Sequence, residues 1–200
     1  WLDLMAGCGI RGLRWGLEAA SASPLPAQIL VNDADGDRRP LLEHNLRPVA
    51  AATCSSVSAE RLLCEAQLEG RRFDLIDLDA FGHPGALIQP ALQALDTDGI
   101  LVLASTDGRS PTGHDRPGAI RSFGAAARVH PASWELALRQ QLGLLARQAW
   151  LLGRGIQPLL SFSDGRTFRL AIRLTRQLQF GEESQLGLLA RCGTCGAQQR

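Results

Sequence analysis

Short apolar runs of strand length alternate along the first half of the chain with segments whose apolar residues recur at helical spacing. The predicted strands are residues 1–5, 28–32, 51–57, 73–78 and 100–105. The predicted helices that separate them are residues 10–20, 36–46, 59–68 and 85–95. This alternation predicts an α/β fold built on a parallel sheet.

The chain after residue 105 departs from this alternation. Residues 107–130 are rich in Gly, Pro and charged side chains and are predicted to form a long loop. A helix is predicted over residues 134–152, with Ser133 as its N-cap. We expect the long loop to be functional or mobile, because structureless segments of this length are uncommon in compact domains.

Two further strand-like runs, residues 156–162 and 167–174, flank the dipeptide Asp164-Gly165. Asp-Gly between two such runs is typical of a β-hairpin turn. We therefore predict a doubly wound, mostly parallel sheet that finishes in a C-terminal antiparallel hairpin. The predicted domain covers residues 1–175, and residues 176–200 are expected to begin a C-terminal module.

Composition places the chain among globular proteins, since 45% of its 200 residues are hydrophobic and 20% are charged. No apolar run approaches the roughly 20 residues that a membrane helix needs, so no membrane partner is expected. The chain begins at Trp1 without an initiator Met, which suggests a fragment of a longer protein. No signal peptide is visible, and we expect a cytoplasmic protein.

Charge is distributed unevenly along the chain, and every basic residue is an Arg. Residues 1–100 hold 8 Arg and 14 acidic residues, and residues 101–200 hold 13 Arg and 6 acidic residues. The basic half is compatible with a docked polyanion and equally with solvated side chains. The same two interpretations apply to the arginines of the last predicted strand region, Arg166, Arg169, Arg173 and Arg176.

The five cysteines do not have the pattern of a disulfide framework, which fits a cytoplasmic protein. Cys192 and Cys195 form a C-x-x-C pair like one half of a zinc knuckle. A structural zinc site needs four ligands, so we predict no metal site within these 200 residues.

A glycine-rich turn follows the first predicted strand. Gly7, Gly9 and Gly12 fit G-x-G-x-x-G, and Asp33 ends the next strand. Such a turn lets a cofactor approach the backbone, and the acid accepts hydrogen bonds from a ribose. Dinucleotide enzymes and S-adenosylmethionine enzymes share this pattern, and a structural turn without a ligand also fits it. Asp3, inside the first strand, and the C-terminal hairpin favour the S-adenosylmethionine enzymes.

The fourth predicted strand leads into Asp79-Ala80-Phe81-Gly82. Amino-methyltransferases have a similar acid, small residue and aromatic residue at this place. A carboxylate such as Asp79 can hold an exocyclic base amine and favour the positive charge that develops on it. Phe81 can stack on a base that has left its helix. The alternative is an acidic strand end with a core Phe.

Together these motifs resemble the tRNA guanine-26 dimethyltransferase family. The matching segments are residues 4–14, 31–33, 43–45, 73–82, 105–107, 134–139 and 158–161. The resemblance implies a class I methyltransferase fold, which is Rossmann-like. It also implies transfer of methyl from S-adenosylmethionine to the exocyclic 2-amino group of guanine 26 in tRNA, which is first monomethylated and then dimethylated.

The resemblance also implies roles for individual residues. Arg11, Asp33 and the Ser58-Ala59 position would contact S-adenosylmethionine, and Asp79 would be the catalytic acid. Two positions depart from the family pattern, because Ala80 stands where the family has Pro and Ser58 where it usually has Asp.

Three other functions stay open at this point. An NAD(P)-dependent oxidoreductase would share the glycine-rich turn. A non-catalytic RNA-binding relative would fit the two departures from the family pattern. An amino-methyltransferase for another RNA or for DNA would share the residues around Asp79. No protein partner is predicted.

Overall fold

The computed structural model of the chain describes residues 1–19, 26 and 28–199. Its strands are β1 Leu2–Asp3, β2 Ile29–Asn32, β3 Ala52–Ser55, β4 Phe73–Ala80, β5 Leu95–Ser105, β6 Gly155–Ser163, β7 Phe168–Thr175, β8 Ala190–Arg191 and β9 Gln198–Gln199. Its α-helices are α1 Ile10–Leu17, α2 Arg39–Leu46, α3 Ala59–Leu68, α4 Gly85–Ala94, α5 Arg116–Phe123 and α6 Ser133–Trp150. Two 3₁₀ turns cover Gly36–Arg38 and Glu182–Gln185.

Seven of these strands form one sheet in the order β3-β2-β1-β4-β5-β7-β6. Strands β1 to β5 are parallel, and β7 runs antiparallel to both β5 and β6. The predicted doubly wound, mostly parallel sheet with its C-terminal antiparallel hairpin is therefore confirmed. The chain runs outward from β1 to β3 and then returns to β4, so the strand order reverses between β1 and β4. In open α/β sheets, ligands bind at the carboxyl ends of the strands at such a reversal.

Helices cover the sheet from both faces. The larger core joins α3, α4 and α6 to buried residues of β4, β5 and β7 such as Ile76, Leu101 and Ile172. A smaller core packs β2 against α2. Helix α1 lies close to β2, since a Cβ on Gly12 would lie 2.6 Å from Cγ2 of Val31. The third glycine of the G-x-G-x-x-G pattern is thus required by packing of helix against strand.

The long loop predicted over residues 107–130 contains helix α5, so that prediction was wrong in part. The Asp115 side chain accepts a hydrogen bond from the Gly118 N–H at the start of this helix, and a Pro occupies its first turn. Both features are ordinary helix N-terminal signals. The segment lacks a regular apolar period, and local capping therefore determines the helix.

Two predicted helix ends also differ from the structure. Ser133 is not the N-cap of α6, because its Oγ accepts from the backbone N–H of His130 and Ala132 occupies the cap position. Helix α1 ends at Leu17 rather than at residue 20. Residue 20 itself lies outside the described residues.

Glu182 links the C-terminal residues to the sheet. Its buried carboxylate accepts hydrogen bonds from Nε1 of Trp150, from the Ile156 N–H and from the Gln179 N–H, at 3.0, 3.0 and 3.1 Å. The predicted boundary at residue 175 is therefore crossed by a buried contact, and a separate module beyond it stays a prediction. Within the described residues, none of the helices combines the length and the apolar character needed to cross a bilayer.

Candidate active site

The predicted site residues come together where β1, β2 and β4 end. Asp3 ends β1 and Asp33 follows β2. Asp77 and Asp79 lie near the carboxyl end of β4. Arg11, in the first turn of α1, reaches three of these four carboxylates. The strand-order reversal between β1 and β4 therefore opens onto a cluster of acidic groups around one guanidinium.

The glycine-rich turn between β1 and α1 has the backbone that glycine favours. Gly7 and Gly9 have φ values of 60° and 79°, in the left-handed region that residues other than glycine rarely adopt. The Gly7 N–H donates to Oδ2 of Asp33 at 2.8 Å, and Oδ1 of Asp33 accepts from the Asp35 N–H at 3.0 Å. Asp33 therefore fixes the position of the turn, in addition to presenting a carboxylate at the end of β2.

Arg11 is the centre of the acidic cluster. Its Nη1 lies 2.7 Å from Oδ2 of Asp79 and 3.1 Å from Oδ1 of Asp77, and its Nε lies 3.4 Å from Oδ1 of Asp3. Its Nη2 donates to the carbonyl of Met5 at 3.3 Å. One guanidinium thus bridges the ends of β1 and β4.

Burial acts on the charges of this cluster. The side chain of Asp3 is fully buried, and burial raises the pKa of its carboxyl to about 6 although Arg11 lowers it. Burial raises the pKa of Asp77 as well, while the charge of Arg11 lowers it.

A second guanidinium, that of Arg169, lies 3.6 Å from Asp79. Three carboxylates facing two guanidiniums leave an excess of negative charge, which attracts a cationic ligand and repels a pyrophosphate.

The turn after β4 is fixed by the end of β5. The Gly82 N–H donates to Oγ1 of Thr106 at 2.7 Å, and the Gly82 carbonyl accepts from Oγ of Ser105 at 2.8 Å. Ala80 is buried against the larger core. Phe81 is 96% exposed, so it is not the core Phe of the alternative interpretation, and its ring is open to contact.

The Ser58-Ala59 position lies at the start of α3, just beyond β3. Oγ of Ser58 accepts from the Arg61 N–H at 3.2 Å and caps the helix. Ala59 is buried. The side chain of Ser58 is therefore engaged locally, and its backbone lies at the carboxyl-end edge of the sheet.

Other candidate side chains have partners outside the acidic cluster. The rings of His83 and Phe123 meet edge to face, and burial lowers the pKa of His83. Cys192 and Cys195 are exposed free thiols, and backbone N–H groups of Cys195 and Thr194 lower the pKa of Cys192 to about 7. Among the described residues, no three His, Cys, Asp or Glu side chains are placed so that together they could hold a metal ion.

Sequence reasoning left three residues of this region without a specific role. Buried Asn32 donates to the carbonyls of Leu4 and Val57 at 3.0 Å, which ties together the ends of β1, β2 and β3. Its signal in the sequence was a polar residue inside an apolar strand run. Asp77 lay within the matching segment 73–82 without a role of its own, and Arg169 was considered either as a contact to a polyanion or as a solvated charge.

Comparison with known proteins agrees with this geometry. The model of a family described as N2,N2-dimethylguanosine tRNA methyltransferase matches residues 1–200. The chain is 30% identical over 200 residues to a tRNA (guanine(26)-N(2))-dimethyltransferase of Methanocorpusculum labreanum, covering 98% of this chain and 49% of that protein. A human protein of the same name is 31% identical over 201 residues, covering 98% of this chain and 30% of that protein. The chain thus spans about half or less of the length of these relatives.

Solved structures give the same grouping. Trm1 from Pyrococcus horikoshii, in complex with S-adenosyl-L-methionine, superposes with a TM-score of 0.87 at 26% identity, covering 99% of this chain and 56% of that one. A putative methyltransferase from Streptococcus mutans superposes with a TM-score of 0.57 at 11% identity and shares the fold. The sheet is therefore that of the class I methyltransferases, as the sequence predicted.

Proposed function

We propose that this chain, which belongs to the N2,N2-dimethylguanosine tRNA methyltransferase family, is the catalytic part of a tRNA methyltransferase. Its substrate would be the exocyclic 2-amino group of guanine 26 in tRNA, methylated once and then again, in keeping with the names of its relatives. The observation that carries the proposal is the acidic cluster around Arg11, which lies beside the glycine-rich turn and the exposed ring of Phe81.

The charge of the cluster supports S-adenosylmethionine as the cofactor. This molecule carries a sulfonium cation and supplies an electrophilic methyl group when bound. Arg11 would hold its amino-acid part by donating to the carboxylate, and Asp3, whose side chain is fully buried, would take part by holding Arg11 in place. The pyrophosphate of NAD(P) would meet the same excess of negative charge, which argues against the oxidoreductase alternative.

The remaining cofactor contacts follow from the strand ends. Gly7 and Gly9 would allow close approach of the backbone to the ligand, and Asp33 would accept hydrogen bonds from the ribose hydroxyls. Ser58 and Ala59 would line the place of the adenine through backbone and apolar surface. Because Ser58 already caps α3, its hydroxyl is not the main adenine contact we propose.

Asp79 and Phe81 would handle the base. Phe81 presents a free aromatic face on which a flipped guanine can stack. Asp79 would accept a hydrogen bond from the 2-amino group, align its nitrogen and stabilise the positive charge that grows there. Proton release can follow bond formation, so Asp79 need not be a strong base.

The non-catalytic alternative rested on Ala80 replacing Pro. The turn after β4 is nevertheless fixed by hydrogen bonds from Ser105 and to Thr106, which can replace the rigidity of a Pro. This geometry favours an enzyme over a binding relative. We also propose that residues 1–175 form the methyltransferase domain and that the protein acts in the cytoplasm, in keeping with its five free thiols.

Incubation of the full-length protein with unmodified tRNA and labelled S-adenosylmethionine tests this function. We expect label in N2-methylguanine at position 26, followed by N2,N2-dimethylguanine. A tRNA with adenine at that position serves as the control and should take up no label there. Label on a different nucleotide, or none in either RNA, would refute the proposed reaction.

Replacement of Asp33 with Ala should weaken S-adenosylmethionine binding at least about tenfold, because a charge-assisted hydrogen bond contributes roughly 1.5–3 kcal/mol. Calorimetric titration measures the change. Asp35→Ala is the matched control, since Asp35 is a neighbouring carboxylate whose ion pair with Arg38 at 3.1 Å is exposed. If both variants bind like the wild type, Asp33 does not contact the cofactor.

A further inference from the structure

Four residues form one row across the last four strands of the sheet. Asp79 of β4 is paired with Ala104 of β5, Ala104 with Arg169 of β7, and Arg169 with Phe162 of β6. Neighbours in such a row have Cβ atoms about 5 Å apart. The row therefore places the proposed catalytic carboxylate, a small residue, a guanidinium and an aromatic ring along one line.

Arg169 points to the same face of the sheet as Asp79. Its neighbours Phe168 and Leu170 are buried on the opposite face, and side chains alternate along a strand. Ala104, which lies between the two strands, is too small to separate the charges. The guanidinium therefore reaches across β5, and its Nη2 lies 3.6 Å from Oδ2 of Asp79.

This distance leaves the guanidinium available to another group. A separation of 3.6 Å gives electrostatic attraction but exceeds hydrogen-bond range, so Nη2 can still donate to a third atom. The side chain of Arg169 is 35% exposed, and Phe162 beside it is partly exposed as well. A ligand held by Asp79 thus has access to the donors of Arg169.

Arg169 and Asp79 place a hydrogen-bond donor next to an acceptor, and this arrangement is complementary to one edge of guanine. That edge presents the O6 acceptor followed by the N1–H and 2-amino donors. A base whose 2-amino group is held by Asp79 needs a donor opposite O6, and Arg is the side chain that most often supplies a hydrogen bond to O6 of guanine.

We propose that Arg169 donates a hydrogen bond to O6 of the target guanine while Asp79 accepts from its 2-amino group. Arg169 is then a specificity-determining residue that recognises the base and aligns its amine. This inference rests on the proposed function and adds to it the edge of guanine, with O6 and the 2-amino group, that the site recognises.

A single-atom change in the substrate tests the contact. A tRNA with 6-thioguanine at the target position replaces O6 by sulfur, a weaker acceptor, and keeps N1–H and the 2-amino group. Single-turnover methylation by the wild-type full-length protein should be about tenfold slower on this tRNA than on guanine tRNA. Arg169→Met removes the donors but keeps the apolar stem, and it should methylate both tRNAs at equal, reduced rates.

Two further variants separate recognition from structure. Arg173→Ala removes an exposed arginine on the same face two residues further along β7, and it should keep the full wild-type preference for guanine. Arg169→Lys restores one donor and should restore part of the preference. S-adenosylmethionine affinity, measured by calorimetry, should be the same in all these variants.

The inference is overturned if Arg169→Met keeps the wild-type preference for guanine, or if the wild type shows no preference. In both cases guanine tRNA is still methylated, and the proposed function stands. Absence of methylation of either tRNA by the wild-type protein would overturn the proposed function and this inference with it.

Discussion

Single-turnover methylation of tRNA should fall about a hundred- to a thousandfold when Asp79 is replaced with Ala. The carboxylate is the group that we expect to hold the amine and to stabilise its growing positive charge. Affinity for S-adenosylmethionine should change less than about threefold, because Arg11 keeps Asp3 and Asp77 as partners. Rapid-quench measurement of methyl incorporation, with calorimetry of cofactor binding, separates the two effects.

A conservative substitution of Asp79 and a control substitution elsewhere in β4 test whether the charge of Asp79 causes this effect. Asp79→Asn should have an intermediate rate, because an amide oxygen still accepts a hydrogen bond without carrying a charge. Asp74→Ala removes an exposed carboxylate near the opposite end of β4 and should leave the rate unchanged. A wild-type rate for Asp79→Ala would mean that the end of β4 has a structural role only.

The sequence predicted the sheet and the residue types of the site because both are local signals. Alternating strand and helix runs indicated β1 to β5, and Asp164-Gly165 indicated the final hairpin. Gly7, Gly9 and Asp33 could be predicted as candidate site residues from a motif, since each lies close to the end of a strand. These signals do not depend on contacts between distant parts of the chain.

The acidic cluster could not be predicted in the same way. Arg11 and Asp79 are 68 positions apart in the chain and come together only through the parallel pairing of β1 with β4. The motif around Asp79 gave its chemistry but not its partner. The excess of negative charge, which distinguishes between cofactors, is therefore a property of the folded sheet.

The place of Phe162 in the row that contains Arg169 depends on an irregularity that no sequence pattern revealed. The register of β6 against β7 shifts between Pro158 and Leu160. A shift of one residue exchanges the two faces of a strand. This shift brings Phe162 opposite Arg169, so the face that Phe162 occupies could be determined only from the pairing.

Loss of the Arg11 guanidinium should destabilise the fold in a manner that depends on pH. Arg11→Met leaves three carboxylates together, with the fully buried Asp3 among them, and breaking a buried pair of this kind costs about 3–5 kcal/mol. Urea unfolding at pH 8 should show this loss in the free energy of unfolding.

The sign of the pH effect follows from Asp3. Its folded pKa of about 6 lies above the ordinary value of 3.8, so between these values the folded state binds more protons than the unfolded state. Stability from this group therefore falls as pH rises through that window. Arg11 lowers the pKa of Asp3, so its removal moves the folded pKa higher and extends the loss into the neutral range.

The difference in free energy of unfolding between wild type and Arg11→Met should accordingly be smaller at pH 5.5 than at pH 8. Adding Asp3→Asn to this variant removes the buried charge and should restore much of the loss at pH 8 while flattening the pH dependence. Parallel stability curves for Arg11→Met and wild type across this range would show that the guanidinium does not control the ionisation of Asp3. The cluster would then be held by the strand pairing of β1 and β4 and not by its central charge.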